Sequence, residues 1–177
     1  MLKTVPAFDR IGEEKAFAVL ERANALAAQG RDIINLGIGQ PDFRTPDFIV
    51  EAAIKALRDG HHGYTPATGL LATREAVARR TLSLTGVEVS PENIMILPGG
   101  KPTMYAAIVM FGEPGAEILY PDPGFPIYRS MIEFTGATPI PVPIREENGF
   151  AFSADETLAL ITPQTRLIIL NSPANPT

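Results

Sequence analysis

No cysteine occurs in the 177 residues, which excludes disulfides, thiolate metal sites and cysteine nucleophiles. Blocks of like charge are also missing. Lys and Arg total 15 against 20 for Asp and Glu, and the net charge of −5 is spread along the chain, which argues against a nucleic-acid or anionic-membrane surface. The opening MLKTVPAFDRIGEE has no apolar run long enough for a signal peptide, and no later stretch is long enough to span a bilayer. A soluble, cytoplasmic chain is the expectation. Histidine is confined to His61 and His62, adjacent in a loop, with no third ligand-type residue at metal spacing. Neither an internal repeat nor a low-complexity tract is present.

What is there is the material of one globular domain: 45% hydrophobic residues, with 17 prolines and 15 glycines that punctuate apolar segments without clustering into a linker. An apolar stripe of Phe17, Val19, Leu20, Ala23, Leu26 and Ala27 predicts a helix from about Ile11 to Gln29, stopped by Gly30. IINL (Ile33 to Leu36) reads as a short strand leading into GIGQPDF. Thr45 and Pro46 read as the cap and first residue of a second helix carrying Phe48, Ile49, Ala53, Ile54 and Leu57. HHGYTPATG is a loop, and a third helix is expected from Leu70 to about Thr85.

From Ile94 the pattern becomes regular. IMIL (Ile94 to Leu97), EILY (Glu117 to Tyr120), TPIPVPI (Thr138 to Ile144) and RLIIL (Arg166 to Leu170) read as strands, separated by helical stretches around 104–111, 126–135 and 154–161. This alternation predicts an α/β fold: a largely parallel sheet with helices on both faces and right-handed crossovers. Prolines at 139, 141 and 143 remove donors from one side only, as suits an edge strand.

Several residues could carry chemistry. The strand ending at Leu97 runs through PGGKPT into a helix, where two glycines let backbone amides approach a ligand and the helix start adds partial positive charge, a combination that suits a phosphate. A glycine pair at such a joint is more often a plain tight turn. The stretch lacks the P-loop spacing, and GIGQPD fails the dinucleotide fingerprint because Asp42 stands where the third glycine belongs. Phe125, in PDPGF, leaves the next strand at the same rim, where parallel strand ends would also bring Asn175. Taken singly, Phe125 reads as a core aromatic and Asn175 as a turn former. Glu13 with Glu14, and Glu146 with Glu147, are adjacent pairs whose side chains diverge, so neither makes an acid/base couple.

YTPATGLLATREAVA, PGGKPTMYAA, the aromatic in PDPGF and the closing NSPANPT, with GQPDFRTP in the same register, together resemble the class I and II aminotransferases, pyridoxal-phosphate enzymes of fold type I. The resemblance runs from about Asp9 to Thr177. It implies the large domain of such an enzyme, incomplete at its C-terminus, with residues 1–45 as N-terminal arm, helix and substrate loop belonging in part to the small domain, and 46–177 as the first part of the cofactor domain. It further implies that the amides of Gly100 and Lys101 hold the phosphate of pyridoxal 5'-phosphate, with Gly99 permitting the turn. Phe125 would stack on the pyridine ring, where relatives commonly carry Tyr or Trp. Asn175 would donate to the phenolic oxygen, Tyr64 would reach across a homodimer interface to the partner's cofactor phosphate, and Gly39 would offer its backbone to the substrate α-carboxylate.

Transamination by this family implies a Schiff-base lysine, expected downstream of Thr177, so no catalytic residue is assigned within the chain. The only lysines are Lys3, Lys15, Lys55 and Lys101. The chain alone is therefore expected to be inactive, to bind the cofactor weakly if at all, and to expose its last strand to association. The activity implied is transfer of an amino group from an L-amino acid to a 2-oxo acid. A lyase of the same fold, or a non-catalytic binding or dimerisation fragment, stands as the alternative. Arg10, Arg44 and Arg129 are candidates for gripping a second substrate carboxylate by charge only.

Overall fold

The computed structural model describes residues 2–12, 15–37 and 39–177, so the pair Glu13 and Glu14 lies outside the described residues. In chain order the elements are α1 (Lys15–Ala28), α2 (Asp47–Arg58), α3 (Leu71–Thr85), α4 (Gly100–Phe111), β1 (Glu117–Asp122), α5 (Ile127–Thr135), β2 (Thr138–Pro143), α6 (Ala154–Ala159) and β3 (Thr165–Ile168). They form two compact units, residues 1–38 with 101–177, and residues 39–100.

The first unit is built around β1. Its parallel neighbours are β2 on one edge and β3 on the other. Ile118 and Leu119 have no exposed surface and Tyr120 very little, because the side chains alternate and both faces of this strand are covered. On one face Ile118 and Tyr120 join Ile108 of α4, Tyr128 and Ile132 of α5, and Ala116 and Ala137, with Met104, Met131, Leu167 and Ile169 packed around them. Full burial of each such aliphatic side chain is worth about 1.5–3 kcal/mol against exposure, so this cluster dominates the stability of the unit.

The three prolines of β2 behave as their spacing predicts. The amides of Thr138 and Ile144 donate to the carbonyls of Ala116 and Asp122, both at 2.8 Å, so the even-numbered amides face β1 and the proline nitrogens face the open edge. The register runs evenly from Glu117 opposite Thr138 to Asp122 opposite Pro143. Pairing with β3 is shorter, with an irregularity between Glu117 and Ile118, and it continues through the Ile169 amide to the Leu119 carbonyl at 2.9 Å.

The segment before α1 is strapped to α5. Arg10 donates from Nε to the Glu133 carbonyl at 2.7 Å and from Nη2 to the Phe134 carbonyl at 2.8 Å, placing a cation on the carbonyls of the last helical turn. The Gly12 amide donates to Ser130 Oγ at 2.8 Å, and Phe8 packs edge-on to Phe134 with ring centroids 5.4 Å apart.

Three expectations are corrected. Ile33 to Leu36 and Ile94 to Leu97 belong to no helix and no ladder among the described residues. Ile34 and Leu36 are largely exposed beside α1, and the Ile96 amide is taken by the Thr68 carbonyl of a loop at 3.1 Å. An apolar run specifies extended backbone, but a strand also needs a neighbour. Pro46 is the residue before α2 and makes no side-chain cap, and Asp47 supplies the negative charge in the first turn instead.

Ile118→Ala is expected to lower the unfolding free energy by about 2–5 kcal/mol, and Ile34→Ala by less than about 0.5 kcal/mol, in urea titrations followed by circular dichroism. Burial, and after it the Asp122 carboxylate, pushes the Tyr120 hydroxyl above its ordinary 10.0, with Arg129 pulling back, and burial raises Tyr128 likewise. A raised folded-state pKa leaves this contribution whole below pH 10.0 and removes it as pH climbs through the folded value, because the unfolded phenol ionises first. The urea midpoint should therefore fall above about pH 10, and the double variant Tyr120→Phe with Tyr128→Phe should flatten that alkaline decline.

Candidate functional site

The chain enters α4 through Leu97, Pro98 and Gly99. Gly99 has φ +96° and donates its amide to the Leu97 carbonyl at 2.9 Å, a reversal that a side-chain-bearing residue would adopt only under strain. Among the described residues, no atom beyond the adjoining backbone lies within 4 Å of where a Cβ would stand on Gly99 or Gly100. The first amides of a 12-residue helix have no intrahelical partner, and the helix dipole adds partial positive charge there. A small anion fits that arrangement.

Lys101, the next residue, sends its side chain towards aromatic rings. Its Nζ lies 5.7 Å from the ring centroid of Phe17 on α1 and 5.7 Å from that of Phe125, both within cation–π range. The expectation for Lys101 concerned only its backbone amide. The side-chain contact with Phe17 depends on a fold-level approach that spacing in the sequence does not show.

Phe125 is delivered by the turn that ends β1. Asp122–Pro123 is a cis peptide, and a Cβ on Gly124 would run into the Pro121 carbonyl oxygen, so only glycine fits that reversal. The phenyl ring is half-buried, packed against the core and edge-on to Tyr128 at 6.0 Å between centroids. Phe125 is thus both a core aromatic and a ring held in place beside the Lys101 ammonium. Gly124 escaped the sequence reading, although its place between Pro123 and an aromatic was the available signal.

Asn175 sits in the loop that follows β3. With its amide turned so that the oxygen faces the Asn175 backbone N–H, the Asn171 side chain braces this loop, accepting from that amide at 3.2 Å and donating to the Pro173 carbonyl at 3.2 Å. Ser172–Pro173 and Asn175–Pro176 are cis. The Asn175 side chain is exposed, and a cavity of about 390 Å³ lies beside the loop, lined among others by Phe150, Phe152, Asn171 and Ala174. Asn171 was passed over in the sequence; its bracing role is a short-range side-chain to backbone contact of the Asx kind.

In the unit 39–100, Tyr64 is fully exposed, and Gly39 has open space around it. The structure brings Lys101 and Phe125 together, and sets Gly99 and Gly100 in one turn. Tyr64, Gly39 and Asn175 each stand in a loop of their own. Of the arginines weighed for a substrate carboxylate, Arg10 donates to α5 carbonyls and Arg129 pairs with Glu133 at 2.8 Å. Arg74, passed over in the sequence, joins the Gly69 and Pro91 carbonyls.

The profile of the family described as aminotransferase class I and II matches residues 31–177. A probable aspartate/prephenate aminotransferase of Aquifex aeolicus is 39% identical over 159 residues, covering 90% of this chain and 40% of the relative. An arginine–pyruvate transaminase of Pseudomonas aeruginosa is 40% identical over 161 residues, covering 91% of this chain and 41% of the relative. Among solved structures, the aspartate aminotransferase of Thermus thermophilus with maleate superposes with a TM-score of 0.92 at 32% identity, over 100% of this chain and 46% of that one. The chain thus spans about 40% of the length of these curated relatives. A parallel sheet with the helix-start turn at Gly99 and the aromatic at 125, and a profile match that takes in both, make this chain a member of the aminotransferase class I and II family.

Proposed function

We propose that the chain is the first part of a pyridoxal-phosphate-dependent aminotransferase that moves an amino group from an L-amino acid to a 2-oxo acid, working in the cytoplasm as a homodimer. The observation that carries this reading is the open turn at Gly99 and Gly100, at the start of α4, inside a chain that belongs to this family. On this reading residues 1–45 fall in part to the small domain and 46–177 to the cofactor domain.

The residues present fit the cofactor. The amides of Gly100 and Lys101 would bind its phosphate through the helix start, and Phe125 would offer an aromatic face. The Asn175 amide would donate to the phenolic oxygen and favour its ionised form. Tyr64, whose hydroxyl is free to reach outward, would serve the phosphate in the partner's site, and the Gly39 backbone would receive the substrate α-carboxylate. When bound, pyridoxal phosphate supplies an electron sink for charge developing at the substrate α-carbon.

Proton transfer at that carbon needs a base, and the covalent link needs a lysine amine. Lys55 pairs with Asp59 on α2, Lys3 and Lys15 stand at the chain start, and Lys101 is assigned to the phosphate through its amide. None is given the covalent role, and the 177 residues alone should not transaminate. No described helix is long and apolar enough to cross a membrane, in keeping with a cytoplasmic setting.

Incubation with pyridoxal phosphate, borohydride reduction and intact-mass measurement tests the assignment. A species near 19.0 kDa without a stoichiometric adduct is expected, with reversible retention of the cofactor in equilibrium dialysis. Phe125→Ala should weaken that retention by about tenfold, the loss expected for one stacking contact of about 1.4 kcal/mol. A stoichiometric adduct on Lys101, or retention indifferent to Phe125, would contradict the reading.

A further inference from the structure

We propose that Arg74 is a positioning residue, one that holds the loop after Tyr64 and the segment leading to Gly99 in fixed register. It resides on α3, and its guanidinium donates from Nε to the Gly69 carbonyl at 3.3 Å and from Nη1 to the Pro91 carbonyl at 2.9 Å. These two carbonyls belong to different segments of the unit 39–100. One closes the YTPATG loop that carries Tyr64; the other opens the stretch that ends in the helix-start turn.

Between the two bridged points the segments touch directly. The Ile96 amide donates to the Thr68 carbonyl at 3.1 Å, and Gly69, with φ +88°, lies so near Ile96 that a Cβ there would stand 2.8 Å from the Ile96 Cβ. The Pro91 carbonyl also accepts from the Ile94 amide at 3.3 Å, which locks the start of the segment. Three residues beyond Ile96 comes Gly99. Any slack at Gly69 or Pro91 is therefore passed to the turn whose amides are assigned to the phosphate.

Arginine suits this task by its planar fork: two donors at a fixed angle meet two carbonyls at once, and each bond is strengthened by the charge. Lysine places a single point charge and can satisfy one carbonyl well. Neither carbonyl belongs to a ladder: Gly69 closes a loop and Pro91 starts the short 3-10 turn Pro91–Asn93, so the guanidinium supplies a side-chain partner to each. The inference rests on the cofactor reading for its functional meaning. Its geometry does not.

The test uses the 177-residue chain and the variants Arg74→Met and Arg74→Lys. Amide hydrogen exchange is followed at Ile96 and Gly99, with Ile118 and Leu119 of β1 as the fold control, and pyridoxal phosphate retention is measured by equilibrium dialysis. In Arg74→Met the Ile96 and Gly99 amides should exchange about tenfold faster while β1 is unchanged, and retention should weaken by a similar factor; Arg74→Lys should lie between. A wild-type exchange rate at Ile96 in Arg74→Met overturns the proposal, as does faster exchange with retention unaltered. If β1 also loosens in Arg74→Met, Arg74→Lys decides by the same readings. Should the parent chain retain no pyridoxal phosphate, the cofactor reading fails, and exchange at Ile96 and Gly99 still decides whether Arg74 positions them.

Discussion

β1 is the constraint from which the rest follows. It is the only strand with hydrogen-bonded neighbours on both edges among the described residues, and its central side chains are fully buried. Because those neighbours run parallel, each connection must cross back over a face of the sheet, which accounts for α5 between β1 and β2 and α6 between β2 and β3. The same parallelism puts the exits of β1 and β3 at one rim. Phe125 and the Asn171–Asn175 loop therefore leave the sheet from the same end, the end at which open α/β folds gather ligands.

Much of this was legible in the sequence because period and punctuation report local physics. α1 ends at Ala28, just before the stop signal Gly30, and EILY, TPIPVPI and RLIIL mark strands that pair. IINL and IMIL carry the same apolar signal without a ladder, since a propensity to extend says nothing about whether a second strand lies alongside. The site divides in a similar way. Gly99, Gly100 and Phe125 were visible as backbone freedom and an aromatic after a strand. Gly124, Asn171 and Arg74 act by contacts with carbonyls and amides of other residues, and a list of residue types does not show which carbonyl lies within reach.

Cations illustrate how function and scaffold compete for the same side chains. Charge alone nominated Arg10 and Arg129 for a substrate, yet Arg10 closes the end of α5 and Arg129 answers Glu133 one turn away. Lys101 was nominated for its amide, and its ammonium also lies against two rings. Fold geometry thus gives Arg10, Arg129 and Lys101 partners within the chain.

The outer edge of β2 has a consequence for how the sheet can be extended. Thr138 and Ile144 turn their amides inward, while Pro139, Pro141 and Pro143 present nitrogens with no hydrogen to donate. An incoming strand on that side would find acceptors but no alternating donors, so main-chain pairing there would be half complete at best. The opposite edge, on β3, carries no such obstruction. The sheet is accordingly a one-ended template: it admits another strand beside β3 and refuses one beside β2, so that its growth has a direction written by three rings.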